Sequence, residues 1–181
     1  WQDWRWQMKN RFVTAEALSH IINLTEQEIK DIEEVSRQFR WAASPYYVSL
    51  MDPDDPECPV RKQAIPSILE LQDENGIDDP MNEENTSPAP CITRRYPDRL
   101  IVNVTNQCPM YCRHCQRRRN IGEVDEPKTA LELEAAIKYI AHNREIRDVL
   151  VTGGDAFMLE EDLLDWLLSK LHKIEHVEIV R

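Results

Sequence analysis

The sequence predicts an α/β fold, with an N-terminal helical and irregular extension over residues 1–98 and the first strands of a parallel sheet or (β/α) barrel over residues 99–181. Three observations point there. From Arg99 onward, β-branched apolar runs alternate with stretches of helical period, which is the strand–helix–strand order of a parallel sheet. Before Arg99 the chain carries helix starts and turn chemistry but no comparable strand run. A dense cysteine stretch follows the first predicted strand directly, where parallel α/β folds place their functional loops.

The extension opens on a Trp-rich, basic segment. Trp4, Met8 and Phe12 are spaced for one face of a short helix. Trp1, Trp4 and Trp6 call for burial, in this chain's own core or against a second subunit. Thr14 starts a helix whose Leu18, Ile21 and Ile22 share a face. Thr25 and Glu28 form a capping box, in which each side chain satisfies an orphan backbone N–H of the first turn. Ile29, Ile32, Val35 and Phe39 follow at helical spacing. Pro45 ends this unit. Tyr46–Leu50 suits either a short strand or a helical turn, and Gln63–Leu71 holds a turn or two of helix broken at Pro66. Asp73–Ala89 is acidic and polar and reads as an exposed connection. Cys58 and Cys91 stand alone in this region and read as inert thiols.

Beyond Arg99 the elements are clearer. Leu100–Thr105 is a strand. Thr129 and Glu132 make a second capping box ahead of a stripe of Leu133, Ala136, Ile137 and Ile140. Val149–Thr152 is a strand with the content of one buried on both faces, and it ends at Gly153-Gly154-Asp155. Leu163, Leu164, Leu167, Leu168 and Leu171 mark a second helix, and Val177–Val180 a third strand. Three strands are too few to close a barrel, so the sheet is expected to be incomplete in this chain.

Composition excludes several classes of function. No run reaches the roughly 18 apolar residues of a membrane span, and no basic-then-apolar secretory signal is present. The net charge of −11 argues against general binding to nucleic acid. Five cysteines are an odd number, and three of them are clustered. A metal site in a reducing cytoplasm therefore accounts for them better than a disulfide framework.

The cluster is Cys108, Cys112 and Cys115, spaced C-x3-C-x2-C. Three thiolates can fill three corners of a soft metal centre and leave one open, which suits a [4Fe–4S] cluster with a site for S-adenosylmethionine. The alternative is a zinc knuckle completed by His114 or by a distant residue, in a non-catalytic interaction module. Gly153-Gly154-Asp155, at the end of the second strand, should lie beside the cysteine loop. Its glycines permit close backbone approach to a ligand, and its carboxylate can hold an ammonium. Arg94, Arg95, Arg99, Arg113, Arg117, Arg118 and Arg119 form a basic stretch in an acidic chain. They read either as a pocket for phosphate or carboxylate, or as partners of the many Asp and Glu residues.

These residues carry a family resemblance. The cysteine motif resembles that of the radical SAM enzymes. The stretch Cys108-Pro109-Met110-Tyr111-Cys112-Arg113-His114-Cys115-Gln116-Arg117-Arg118-Arg119 resembles the lysine 2,3-aminomutases. So do Arg95-Tyr96-Pro97-Asp98-Arg99, Gly153-Gly154-Asp155-Ala156 and His176-Val177-Glu178-Ile179-Val180-Arg181, along with Pro45-Tyr46-Tyr47 and Pro59–Pro66 in the extension. The resemblance implies a partial radical SAM (β/α) barrel and an isomerase that moves the α-amino group of L-lysine or L-glutamate to the β carbon through a 5′-deoxyadenosyl radical. It implies a [4Fe–4S] cluster on Cys108, Cys112 and Cys115. S-adenosylmethionine would be held near His114 and at Gly153, Gly154 and Asp155. The phosphate of pyridoxal 5′-phosphate would sit on Arg95, Tyr96 and Arg99, and the substrate carboxylate on Arg117. An electron donor such as flavodoxin or ferredoxin and a homo-oligomeric, cytoplasmic enzyme are expected with it, and no nucleic-acid or membrane partner. The family's pyridoxal-phosphate lysine and its side-chain-reading residues lie further on, so no catalytic residue is identified in this segment. Gln116 stands where lysine-specific members carry Thr, which fits a glutamate branch.

Overall fold

A computed structural model describes residues 1–181. The chain divides into two compact units, residues 1–77 with 109–116, and residues 78–108 with 117–181. The expected division at Asp98/Arg99 falls inside the second unit. Residues 78–98 belong with the sheet because their Ile92–Thr93 strand pairs within it and their carboxylates pair with Arg117 and Arg119.

The first unit is helical. Its elements are α1 (Trp4–Lys9), α2 (Ala15–Ser19), α3 (Glu26–Ser36), α4 (Pro45–Val48), α5 (Pro59–Ala64) and α6 (Leu69–Gln72). The Thr25 capping box forms in full: the Glu28 backbone N–H donates to Thr25 Oγ1 at 3.2 Å, and Thr25 N–H donates to Glu28 Oε2 at 2.8 Å. Pro45 begins α4 as its first helical residue, where the missing N–H has no helical partner to lose. The core gathers Leu18, Ile22, Ile32, Trp41, Val48 and Ile65.

Two expectations for the N-terminal segment change. The helix stops at Lys9, and Phe12 leaves its face to bridge Ala43 through backbone hydrogen bonds of 2.8 and 3.0 Å. Trp1 and Trp6 are exposed, at 63% and 42%, and their rings meet at a tilt with centroids 6.0 Å apart. The buried tryptophan of this unit is Trp41. On α1 it is Gln7 that is buried, satisfied by the Trp1 carbonyl and the Tyr46 N–H. A short helix can bury only one narrow stripe, and the polar contacts of Gln7 claim it.

The second unit is a mixed four-stranded sheet with helices α7 (Ala130–His142) and α8 (Glu161–His172). Its strands are β1 (Ile92–Thr93), β2 (Arg99–Thr105), β3 (Asp148–Gly153) and β4 (Ile179–Val180), in that order. β2, β3 and β4 are parallel, linked through α7 and α8 as the sequence alternation requires. β1 adds an antiparallel edge that has no sequence signal at two residues. The expected third strand shortens to Ile179–Val180. The core holds Leu100, Val102, Val104, Leu133, Ile140, Val149, Leu167 and Leu171. Burial on both faces, expected of β3, holds at Val149 but not at Leu150 or Val151, which stay half-buried. The Thr129–Glu132 capping box also forms, at 3.3 and 2.9 Å.

Candidate functional site

The strand ends of the second unit build the site. β2 runs to Thr105 in register with Gly153 of β3. Past the register, Gly154 N–H donates to the Thr105 carbonyl at 2.6 Å, and Asp155 N–H to the Gln107 carbonyl at 2.7 Å. Gly-Gly-Asp is thus bonded to the residues that lead into Cys108, as parallel strand ends dictate. The glycines serve this approach. Gly153 has φ +134°, and a Cβ there would collide with the Thr105 carbonyl; one on Gly154 would collide with that of Gln107. Asp155 spends one oxygen, Oδ1, capping the turn at Phe157 N–H, 3.0 Å away.

A cavity of about 460 Å³ opens at these strand ends. Gly153 and Gly154 line it with Thr105, Asn103, Cys91 and the ion-paired residues below. Its charged lining is balanced, with Arg117, Arg119 and Lys128 against Glu83, Glu84 and Glu126. The basic stretch therefore does not produce a field of one sign here. Recognition of an anion would have to come from the geometry of particular N–H groups.

The arginines are largely paired. Arg117 meets Glu83 side-on, Nε to Oε2 at 3.1 Å and Nη2 to Oε1 at 2.7 Å. Arg119 Nη2 also reaches Glu83, at 3.2 Å, and Asp79 at 3.1 Å. Arg94 is tied to Tyr139, Asn143, Glu145 and the Pro97 carbonyl. Arg99 lies 5.1 Å over the Tyr96 ring and 3.5 Å from Asp98. Arg95 is exposed and touches the Met81 sulfur. Arg95, Tyr96 and Arg99 precede or open β2, and none lines the cavity. The seven residues of β2 set Arg99 roughly 20 Å from Thr105.

In the first unit, residues 109–116 are fixed by backbone bonds from Tyr111 N–H to the Ala42 carbonyl and from Arg113 N–H to the Gln63 carbonyl. Cys112 and Cys115 lie in this segment, half-buried, and Cys115 N–H donates to the Cys112 carbonyl at 3.2 Å. Burial first, and then the neighbouring Cys115 thiol, push the Cys112 thiol above its ordinary range. A soft cation would favour the thiolate that this setting disfavours at Cys112. Cys108 belongs to the second unit. None of the three is in a disulfide. No three His, Cys, Asp or Glu side chains are grouped for a metal ion, so the three-cysteine ligand set stands on its spacing and donor chemistry. His114 is exposed.

The two lone cysteines differ. Burial pushes the Cys91 thiol up to about 11, and its φ of 63° is the left-handed conformation that favours glycine. Cys58 precedes α5 and accepts the Asp52 N–H at 3.4 Å, a bond that leads in lowering its thiol.

Glu83 is the residue the sequence does not announce. It lies within the stretch expected to be an exposed connection, yet only 3% of it is accessible. The available signal is one of charge: a run of three arginines in an acidic chain has to find carboxylates somewhere.

A family model described as "Radical SAM superfamily" matches residues 102–181. The chain is 57% identical over 181 residues to a glutamate 2,3-aminomutase of Clostridioides difficile, covering all of this chain and 43% of that protein. It is 46% identical over 182 residues to an L-lysine 2,3-aminomutase of Clostridium subterminale, covering 44% of that protein. To the L-lysine 2,3-aminomutase of Bacillus subtilis it is 42% identical over 182 residues, covering 39%. The chain spans less than half the length of these curated relatives.

Proposed function

By sequence the chain belongs to the lysine 2,3-aminomutase family of radical SAM proteins, and from that premise we propose that it carries the radical-generating part of an amino acid 2,3-aminomutase. The reaction moves an α-amino group to the β carbon of L-glutamate or L-lysine. The higher identity to the glutamate enzyme, together with Gln116, favours glutamate. The sheet would be the first part of a (β/α) barrel that other residues complete.

Cys108, Cys112 and Cys115 hold a [4Fe–4S] cluster, which with S-adenosylmethionine supplies a 5′-deoxyadenosyl radical. Gly153, Gly154 and Asp155 bind the amino-acid end of that cofactor, and Asp155 has one oxygen, Oδ2, left for its ammonium. Backbone near His114 meets the adenine. Arg117 holds the α-carboxylate of the substrate through the edge of its guanidinium that Glu83 leaves open. Arg95, Tyr96 and Arg99 bind the phosphate of pyridoxal 5′-phosphate, which supplies the group that carries the migrating nitrogen. Their place at the start of β2 makes this the assignment that leans most on resemblance. A homo-oligomer, a flavodoxin- or ferredoxin-type electron donor and a cytoplasmic setting complete the reading. Five cysteines with no disulfide among them suit a reducing compartment, and no helix is long and apolar enough to cross a membrane.

One observation carries the proposal: the backbone that leads into Cys108 is hydrogen-bonded to Gly154 and Asp155, which puts the start of the cysteine motif beside the candidate cofactor loop. The test is anaerobic iron–sulfide reconstitution of the full-length protein. The expected result is a brown protein absorbing near about 400 nm, which converts L-glutamate or L-lysine to its β-amino isomer by NMR. Cys112→Ser should lose both iron and turnover. Stoichiometric zinc without iron, in protein whose three cysteines are intact, would overturn the reading in favour of a zinc module.

A further inference from the structure

The pairing of Glu83 with Arg117 has consequences beyond charge balance. A guanidinium carries five N–H donors on a rigid plane with two usable edges. Glu83 occupies the side-on edge, Nε and Nη2. Nη1 and the second N–H of Nη2 meet no protein acceptor. Arg117 lines the cavity and is 28% accessible, so its open edge is within reach of a ligand.

Glu83 is itself held from several sides. Its side chain is 4% accessible, and Arg119 grips Oε2 a second time. The turn around it is closed by hydrogen bonds from Thr86 N–H and Ser87 Oγ to the Glu83 carbonyl, at 3.0 and 2.8 Å. Glu84 N–H adds a bond to Asp79 Oδ2 at 2.9 Å. Asn82, just before it, takes a left-handed φ of 53°. A carboxylate fixed this firmly allows the guanidinium plane little rotation. In the same cavity wall, Nη1 of Arg119 and Oδ1 of Asn103 are buried with no hydrogen-bond partner, so the wall offers a ligand both a further donor and a further acceptor.

We propose that Glu83 is a positioning residue that sets the open edge of Arg117 toward the α-carboxylate of the amino acid substrate. Because the charged lining is balanced, the site selects a carboxylate by fork geometry, and losing the orientation loses the selection. The inference rests on the reading of Arg117 as the carboxylate anchor.

The test uses the full-length, cofactor-loaded protein without reductant, so that no turnover occurs. Calorimetric titration with L-glutamate and with its α-amide separates carboxylate recognition from general binding, and L-lysine with lysine amide serves if lysine is the substrate. Glu83→Gln keeps the shape and one acceptor but removes the charge. It is expected to weaken binding of the amino acid roughly ten- to a hundredfold, the range of a charge-assisted hydrogen bond, and to change the α-amide little. In turnover the loss appears in KM, with kcat nearly retained. Glu83→Asp retracts the fork by one methylene and should give an intermediate loss; it also serves if Gln at position 83 fails to fold. The proposal is overturned if the Glu83 variants weaken acid and amide alike, or neither, while Arg117→Ala still weakens the acid selectively. If Arg117→Ala shows no such selectivity, the anchor reading itself has failed.

Discussion

Arg113 and Arg117 lie four residues apart, and each meets a carboxylate side-on through Nε and Nη2. Arg113 does so with Glu70 in the helical unit, at 2.9 and 2.7 Å. Arg117 does so with Glu83 in the sheet unit, at 3.1 and 2.7 Å. The difference is at Nη1. In Arg113 it donates to the Arg40 carbonyl at 3.2 Å, and the side chain is 8% accessible, so both edges are consumed within the unit. In Arg117 it is left over beside a cavity. The same residue and the same kind of ion pair thus give a sealed fastener in one unit and, in the other, a guanidinium with an edge open to a cavity. Counting arginines cannot tell these apart; the number of N–H groups already spent can.

Substitutions can break or sharpen that contrast. Arg113→Ala should have the largest effect on stability. It takes the guanidinium from the Glu70 carboxylate, 12% accessible, and leaves that charge in a largely buried place with the Ser67 N–H at 3.1 Å. The expected loss is about 3 kcal/mol, read as a lowered urea midpoint at unchanged slope. A loss no greater than that of Arg117→Ala would erase the distinction. Arg117→Ala should be milder for the fold, about 1 kcal/mol, because Arg119 still holds Glu83. Its loss should appear mainly in binding of the amino acid carboxylate. The smallest effect is expected at the caps, which serve neither role. Thr129→Ala removes the acceptor for Glu132 N–H and should cost about 1 kcal/mol with no change in ligand affinity. Hydrogen bonds from Thr129 hold the Glu132 carboxyl below its usual range. That contribution is present above the ordinary carboxylate pKa and fades as pH falls through the lowered value. Thr129→Ala should therefore show a flatter acid limb of stability than the parent.

Much of this molecule was legible in order along the chain. Both capping boxes, the two long helices of the sheet unit and β2 and β3 follow from residues a few positions apart. The adjacency of Gly153-Gly154-Asp155 to the residues that lead into Cys108 follows from parallel topology alone. The N-terminal segment was less legible. Its apolar spacing is as good as that of α3, but six residues of helix cannot outweigh the backbone bridge that draws Phe12 to Ala43. β1 was invisible, since a two-residue strand exists only because Val102 and Ile101 are there to pair with it.

By itself the sequence determined the local elements, the cysteine spacing and the kinship, because helix caps, periodicity and motif spacing are encoded within a single turn or loop. Tertiary structure alone decided which arginine is sealed and which is open. Glu83 and Arg117 are 34 residues apart, and Glu70 and Arg113 are 43. An ion pair across that distance depends on where the backbone of two separate elements is carried, and on how much water the packing removes around them. An acidic stretch that reads as solvated connection supplied Glu83, a buried carboxylate that pairs with Arg117.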